Sequence, residues 1–255
     1  MSAIEAHNIK DKITEEEWRV RVDLAATYRL VAFYGWDDLI FTHISARVPG
    51  PDEHFLINPY GLMFDEITAS SLVKVNLEGE ILLDSHYDIN PAGFTIHSAV
   101  HAVREDAGCV MHLHTVDGIA VSIQEAGLLP LSQQSLFALS SMSYHDYEGV
   151  ALNPDEKSRL QADLGDATSM ILRNHGLLTV DQTIADTFLR MFVLQRACEI
   201  QIRALAGDQK LLPIPQTILD GIVTQSKTAT LDAGGLLAWP GLLRKLDRLD
   251  PGYRT

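Results

Sequence analysis

The feature that most constrains this chain is an interleaving, through its first 207 residues, of short runs that alternate like β-strands with longer runs that repeat like helices. In Ile40 to Val48, residues Ile40, Ile44, Ala46 and Val48 share one face, while His43, Ser45 and Arg47 share the other. That pattern predicts a half-buried strand. His54 to Ile57 reads as a second strand, ending in the turn Asn58-Pro59-Tyr60-Gly61, and Leu72 to Asn76 with Glu80 to Leu83 read as a hairpin around Glu78-Gly79. Further strands are expected at Cys109 to His114, Ser169 to Arg173 and Leu177 to Val180.

The helical runs have their own punctuation. Thr14-Glu15-Glu16-Glu17 has the form of a capping box, with Glu17 reaching back, and the helix it opens should stop at Gly35. Pro91 to Glu105 and Val116 to about Glu125 read as helices, and Asn153 with Pro154 should open another that Gly165 closes. A long helix capped by Asp181 is expected to run to Gly207. Hairpins mixed with covering helices predict a layered sheet rather than a doubly wound one. After Gly207 the texture changes, with Pro213, Pro215, Gly234-Gly235 and Pro240. This suggests a domain over 14–207 and a C-terminal helical appendage over 208–255.

Composition excludes some functions. With 20 basic against 34 acidic side chains the net charge is -14, a poor match for a nucleic-acid backbone or an anionic membrane surface. No apolar run approaches the ~18 residues of a membrane span. The N-terminus lacks the form of a signal peptide, and two cysteines, Cys109 and Cys198, suit a reducing interior. A cytoplasmic protein is expected.

Three of the ten histidines stand in informative contexts. His112 and His114, one residue apart in a strand pattern, project from one face with α-carbons about 7 Å apart, a spacing from which neutral imidazoles can converge on a cation. His175 lies in a tight turn before Gly176, which can hold its ring at the sheet end. Three histidines would leave one position open for water or substrate. The same pair in a strand also occurs as a plain polar face without metal.

The chain resembles the class II aldolase/adducin-head family, typified by the fuculose- and ribulose-phosphate enzymes, from about Trp18 to Gly207. The resemblance is carried by Phe41-Thr42-His43-Ile44-Ser45, Ile57-Asn58-Pro59-Tyr60-Gly61, His97 with Arg104-Glu105-Asp106-Ala107, His112-Leu113-His114-Thr115 and Asn174-His175-Gly176-Leu177. It implies a three-layer α/β/α sandwich with a mixed, largely antiparallel central sheet. It also implies a homotetramer with sites at subunit interfaces, and a divalent metal, zinc first with iron or manganese as alternatives, on His112, His114 and His175.

The departures from that family are chemical. Its Ser-Ser-Glu stretch reads Pro91-Ala92-Gly93 here, so two phosphate-holding serines and the catalytic glutamate are absent. Its Gly-Asn contacts become Thr42-His43, the threonine of its Thr-Gly turn becomes Tyr60, and an active-site tyrosine is replaced by Gln134. A sugar phosphate is therefore an unsuitable substrate. The expected activity is that of a metal-dependent carbon–carbon lyase or decarboxylase on a small oxo- or hydroxy-acid or aromatic carboxylate, through an enolate-like anion.

Thr42, His43, Arg47 and Gly61 are the candidate substrate contacts. Gln134, Tyr144 and His145, with Tyr147 beside them, are the candidate catalytic groups. Arg47 and the stretch from Tyr144 to Tyr147 also have plain structural readings, as does the pair His97 and His101, one helical turn apart. Other readings are an adducin-head-like association module, whose erythroid counterparts lack the full histidine set, and an iron-dependent oxidative decarboxylase or oxygenase.

Overall fold

The computed structural model describes residues 9–83, 85–150, 155–208, 210–229 and 233–255. His7 and the helix start expected at Asn153 and Pro154 lie outside the described residues. Helix α1 spans Glu15–Tyr34; Thr14 accepts a hydrogen bond from the Glu17 amide at its start, an N-cap worth about 1 kcal/mol, and Gly35 ends it with φ 67°. The capping box does not close. The Glu17 side chain turns inward instead, pairing with buried Arg21 and with Lys74, while Arg21 also donates to the carbonyls of Ala69 and Leu72. A buried charge demands such pairing, and that outweighs a local cap.

The sheet has seven strands in the order β3-β2-β1-β4-β7-β6-β5. They are β1 His43–Arg47, β2 Phe55–Ile57, β3 Val73–Val75, β4 Cys109–Leu113, β5 Met142–His145, β6 Ser169–Leu172 and β7 Gly176–Asp181. Only β5 and β6 run parallel; the other neighbours are antiparallel. The hairpin expected after β3 is reduced to one bridge between Val75 and Ile81.

Helices α2 Pro91–Val103 and α5 Glu156–Leu164 pack together over one face of the sheet, where Val110, Met170, Leu172, Leu178 and Val180 meet Ile96, Val100, Leu160 and Leu164. The opposite face, with Ile44, Met111, Leu113, Ile171 and Leu177, is covered by α1, α3 Val116–Ser122, α4 Gln133–Leu139 and α6 Ile184–Leu205. The result is a three-layer α/β/α sandwich. Helix α6 is capped by Thr183, not Asp181, which ends β7 and pairs with Arg190.

One expectation changes. Strand β1 is buried on both faces, because α2 covers the side carrying His43 and Ser45. The segment after Gly207 packs on the domain before it. Beyond the short helices α7 Gln216–Leu219 and α8 Ile222–Ala229, helix α9 Trp239–Leu249 and the chain end return to the main core. Trp239, Leu246 and Tyr253 are buried there; Trp239 donates to Asp23, and the carbonyls of Tyr253 and Thr255 accept from Ala69 and Ser70. Among the described residues, no helix is long and apolar enough to cross a membrane.

Candidate metal centre

Three local devices bring His112, His114 and His175 together. Strand β4 pairs with β7 so that His112 lies opposite Leu178, in the face covered by α2 and α5. His114 falls just beyond the strand, before Thr115, whose hydroxyl caps α3 at the Gly118 amide and donates to Gln195. His175 occupies the turn between β6 and β7, which Asn174 enters with φ 56°, a left-handed conformation that asparagine tolerates. Gly176 is required by space. A β-carbon there would sit 2.5 Å from the Leu113 carbonyl oxygen and 3.2 Å from the His114 ring.

The three rings form a near-equilateral triangle, each pair of centroids 4.8 Å apart. Their candidate ligand nitrogens lie within 4.8 Å of one another; His112 is buried, while His114 and His175 are half-buried. The tautomers are fixed by the outer partners. His112 Nδ1 faces the Leu177 carbonyl at 3.0 Å, which can only accept, so Nδ1 carries the proton and Nε2 is bare. His114 Nδ1 donates to the Asp38 carboxylate at 3.1 Å, leaving its Nε2 bare as well.

Those two bare nitrogens stand 3.1 Å apart. Two ring nitrogens facing each other at this distance need a proton or a metal cation between them. A tetrahedral zinc with bonds of 2.0–2.1 Å would hold two such nitrogens roughly 3.3 Å apart, so the donor set fits a divalent ion. Burial, and then the charges of the neighbouring rings, hold His112 well below the ordinary imidazole range and lower His175 to about 4, which keeps these ligands neutral at pH 7.

A second polar cluster lies beside this one. Two strand residues advance about 6.6 Å and four helix residues about 6 Å, so β1 and α2 can match 43, 45 and 47 to 93, 97 and 101. They do. His43 packs on Gly93 and edge-on to His97. Ser45 Oγ bridges His97 Nδ1 at 2.6 Å and His101 Nε2 at 2.8 Å. Arg47 reaches the carbonyls of His101, Arg104 and Ala107. His97 and His101 are both lowered to about 3, chiefly by burial.

The expected substrate and catalytic residues divide. His43 is at the centre, its ring stacked on His112 at 5.9 Å, with Thr42 buried next to it. Arg47 is not: it donates to carbonyls in the last turn of α2 and just beyond it, four residues along β1 from His43. Gly61 is an exposed turn residue with φ 103° and open space around it. Gln134 lies on α4, which packs on α6 across the opposite face of the sheet.

Tyr144 also packs on that opposite face, accepting from the Leu128 amide beneath the Arg173 guanidinium. His145 is held by two acids of α5, donating to Asp163 at 2.7 Å and lying 3.6 Å from Glu156. Of that stretch, exposed Tyr147 comes nearest the triad, its ring 6.3 Å from His175. The sequence reading missed Asp38, which has no local signal 76 residues from His114. It also missed Ser45 as the bridge of the histidine pair, although the shared faces of 43/45/47 and 97/101 carried that information.

Fold and site together define a class: an α/β/α sandwich with a cluster of three histidines, suited to a cation, at the end of its central strand. Residues 22–202 match the family described as Class II Aldolase and Adducin N-terminal domain, and the chain belongs to that family. It is 64% identical over 253 residues to a protein of Pseudomonas aeruginosa that is named only provisionally as an aldolase class 2 protein, covering 97% of this chain and 96% of that one. It is 43% identical over 250 residues to mouse alpha-adducin, matching 92% of this chain but 34% of the adducin. The L-fuculose 1-phosphate aldolase of Glaciozyma antarctica superposes with a TM-score of 0.81 at 27% identity, covering 94% of this chain and 93% of that one.

Proposed function

We propose that this protein is a metal-dependent carbon–carbon lyase or decarboxylase acting on a small oxo- or hydroxy-acid or an aromatic carboxylate. The observation that carries the reading is the pair of bare Nε2 atoms of His112 and His114, 3.1 Å apart, with His175 completing the triangle. A divalent cation, zinc first and iron or manganese as alternatives, would draw electrons from a ligand oxygen and stabilise the enolate-like anion left when a bond to carbon breaks. His112, His114 and His175 would hold it, and the half-buried rings of His114 and His175 leave one side open to a ligand.

The chain's own residues do the rest. The Leu177 carbonyl and Asp38 hold His112 and His114 in the ligating tautomer. His43 meets the ligand from the strand beside His112, and Tyr147, with its ring 6.3 Å from His175, is a hydroxyl that could deliver a proton to the carbanionic carbon. At position 93 glycine gives no carboxylate base, which favours loss of carbon dioxide over abstraction of a hydroxyl proton. A small-molecule substrate and a homotetramer with sites between subunits are part of this reading, as is a cytoplasmic location. So are an α/β domain over 14–207 and a C-terminal segment over 208–255.

The test is carbon dioxide release against oxygen consumption by metal-loaded protein, across aliphatic and aromatic 2-oxo and hydroxy acids. Release without oxygen uptake, lost in His175→Ala, is expected. Stoichiometric oxygen uptake would replace the lyase with the iron-dependent oxygenase. A second reading, a non-catalytic association module, is favoured by the 43% identity to alpha-adducin. It predicts that the protein assembles with and without metal and turns over nothing.

A further inference from the structure

His43 poses a question that the ligand triad does not answer. Both of its ring nitrogens are buried and without a hydrogen-bond partner, and the ring is 4% exposed. Every imidazole carries at least one N–H, and a buried donor is normally satisfied by protein, water or ligand. The residue before it repeats the pattern: Thr42 is fully buried, its hydroxyl is unpartnered, and its φ is 70°. A β-branched residue in the left-handed region is strained, a condition that persists only where the surroundings enforce it. The bend at Thr42 delivers residue 43 onto β1 opposite His112, where the two rings lie 24° from parallel.

Gly93 is the third observation. Its backbone does not need glycine, since it lies inside α2 without a positive φ. Space needs it. A β-carbon there would come within 2.3–2.5 Å of three atoms of the His43 ring. The Ser45 bridge to His97 and His101 fixes α2 against β1, so Gly93 cannot drift away from His43. Any side chain at 93 would therefore expel the imidazole from its place beside His112. With neutral rings around the cation and the carboxylate of Asp38 spent on His114 Nδ1, the centre would be left electropositive toward its ligand.

We propose that His43, kept in place by the absence of a side chain at Gly93, is the specificity-determining residue of the metal centre. It donates a hydrogen bond to an anionic oxygen of the bound ligand and so selects a small carboxylate. This rests on the metal reading above and narrows its substrate to an acid whose carboxylate reaches both the cation and the His43 ring.

The experiment uses full-length protein loaded with cobalt(II), metal content by elemental analysis, and calorimetric titration with oxalate. Wild type is expected to bind one metal and one oxalate per chain. His43→Phe keeps the bulk and removes the donor; it should keep its metal and bind oxalate about tenfold or more weakly, the loss of one charge-assisted hydrogen bond. His43→Asn restores a donor and should recover most of that affinity.

Equal oxalate affinity in His43→Phe overturns the assignment, as does metal-loaded wild type that binds no oxalate. Loss of metal from His43→Phe also overturns it, because His43 would then act by supporting His112. Should that variant fail to fold, Gly93→Ala answers the same question: weaker oxalate binding at full metal content supports the proposal, and unchanged binding overturns it. Wild type that takes up no metal refutes the metal reading itself, and this is seen before any oxalate is added.

Discussion

Two groups of histidines share one face of this sheet and differ in what their facing nitrogens meet. His97 and His101 both turn a ring nitrogen toward the Ser45 hydroxyl, at 2.6 and 2.8 Å, while their second nitrogens, His97 Nε2 and His101 Nδ1, are buried without a partner. His112 and His114 are tied from behind, by Leu177 and Asp38, and their free nitrogens are turned toward each other. The first group is a clamp that seats α2 on β1. The second is arranged as ligands around a cation would be. Residue type therefore says little about the role of a histidine here; the group bonded to the second ring nitrogen decides it.

The sharpest way to break the contrast is to remove a ring. His112→Ala should abolish stoichiometric metal binding; metal retained at one per chain would contradict the division. Removing a partner should do less. Asp38→Ala frees the His114 tautomer and is expected to weaken metal binding about 10–100-fold, read by competition with a chelator. Unchanged affinity would show that the His114 tautomer needs no help from Asp38.

In the clamp the expected effects are on stability alone. Ser45→Ala leaves a buried ring nitrogen on each histidine without its partner, a cost of about 1–3 kcal/mol in denaturant unfolding, with metal content unchanged. Metal loss in that variant would mean that the two clusters are one unit. A separate effect is with pH. His97 and His101 titrate near 3 when folded, against an ordinary value of 6.5, so unfolded chains take up protons first as pH falls. Their contribution to stability is complete above about pH 6.5 and declines toward pH 3, and the decline should be visible in metal-free protein. A stability flat from pH 7 to 4 would show that these rings are not buried neutral.

Much of this architecture was legible in the sequence because its signals are local. Alternation in Ile40 to Val48 marked β1, and Asn174-His175-Gly176 marked a turn, since one residue must tolerate the left-handed region and the next must admit the Leu113 carbonyl. The family motifs pointed to the three histidines that the structure brings together. What was not legible depends on pairs distant in the chain. Glu17 abandons its cap for Arg21 and Lys74 once burial requires it, and the C-terminal segment rejoins the core through Trp239 and Tyr253.

Arg47 and His145 had both a site reading and a structural one in the sequence. The carbonyls at the end of α2 bind Arg47 and the acids of α5 bind His145, partners that no local motif announces. Gly93 looked like the loss of a catalytic acid; in three dimensions it is also the space that His43 occupies.

The most direct measurement of the central claim is metal stoichiometry in protein purified without chelators and then offered zinc, iron(II) and manganese(II). One tightly held ion per chain, absent from His112→Ala and displaced by acid, is the predicted result. A chain that holds no ion under any of these conditions, with His112 and His114 sharing a proton between their facing nitrogens, would contradict it.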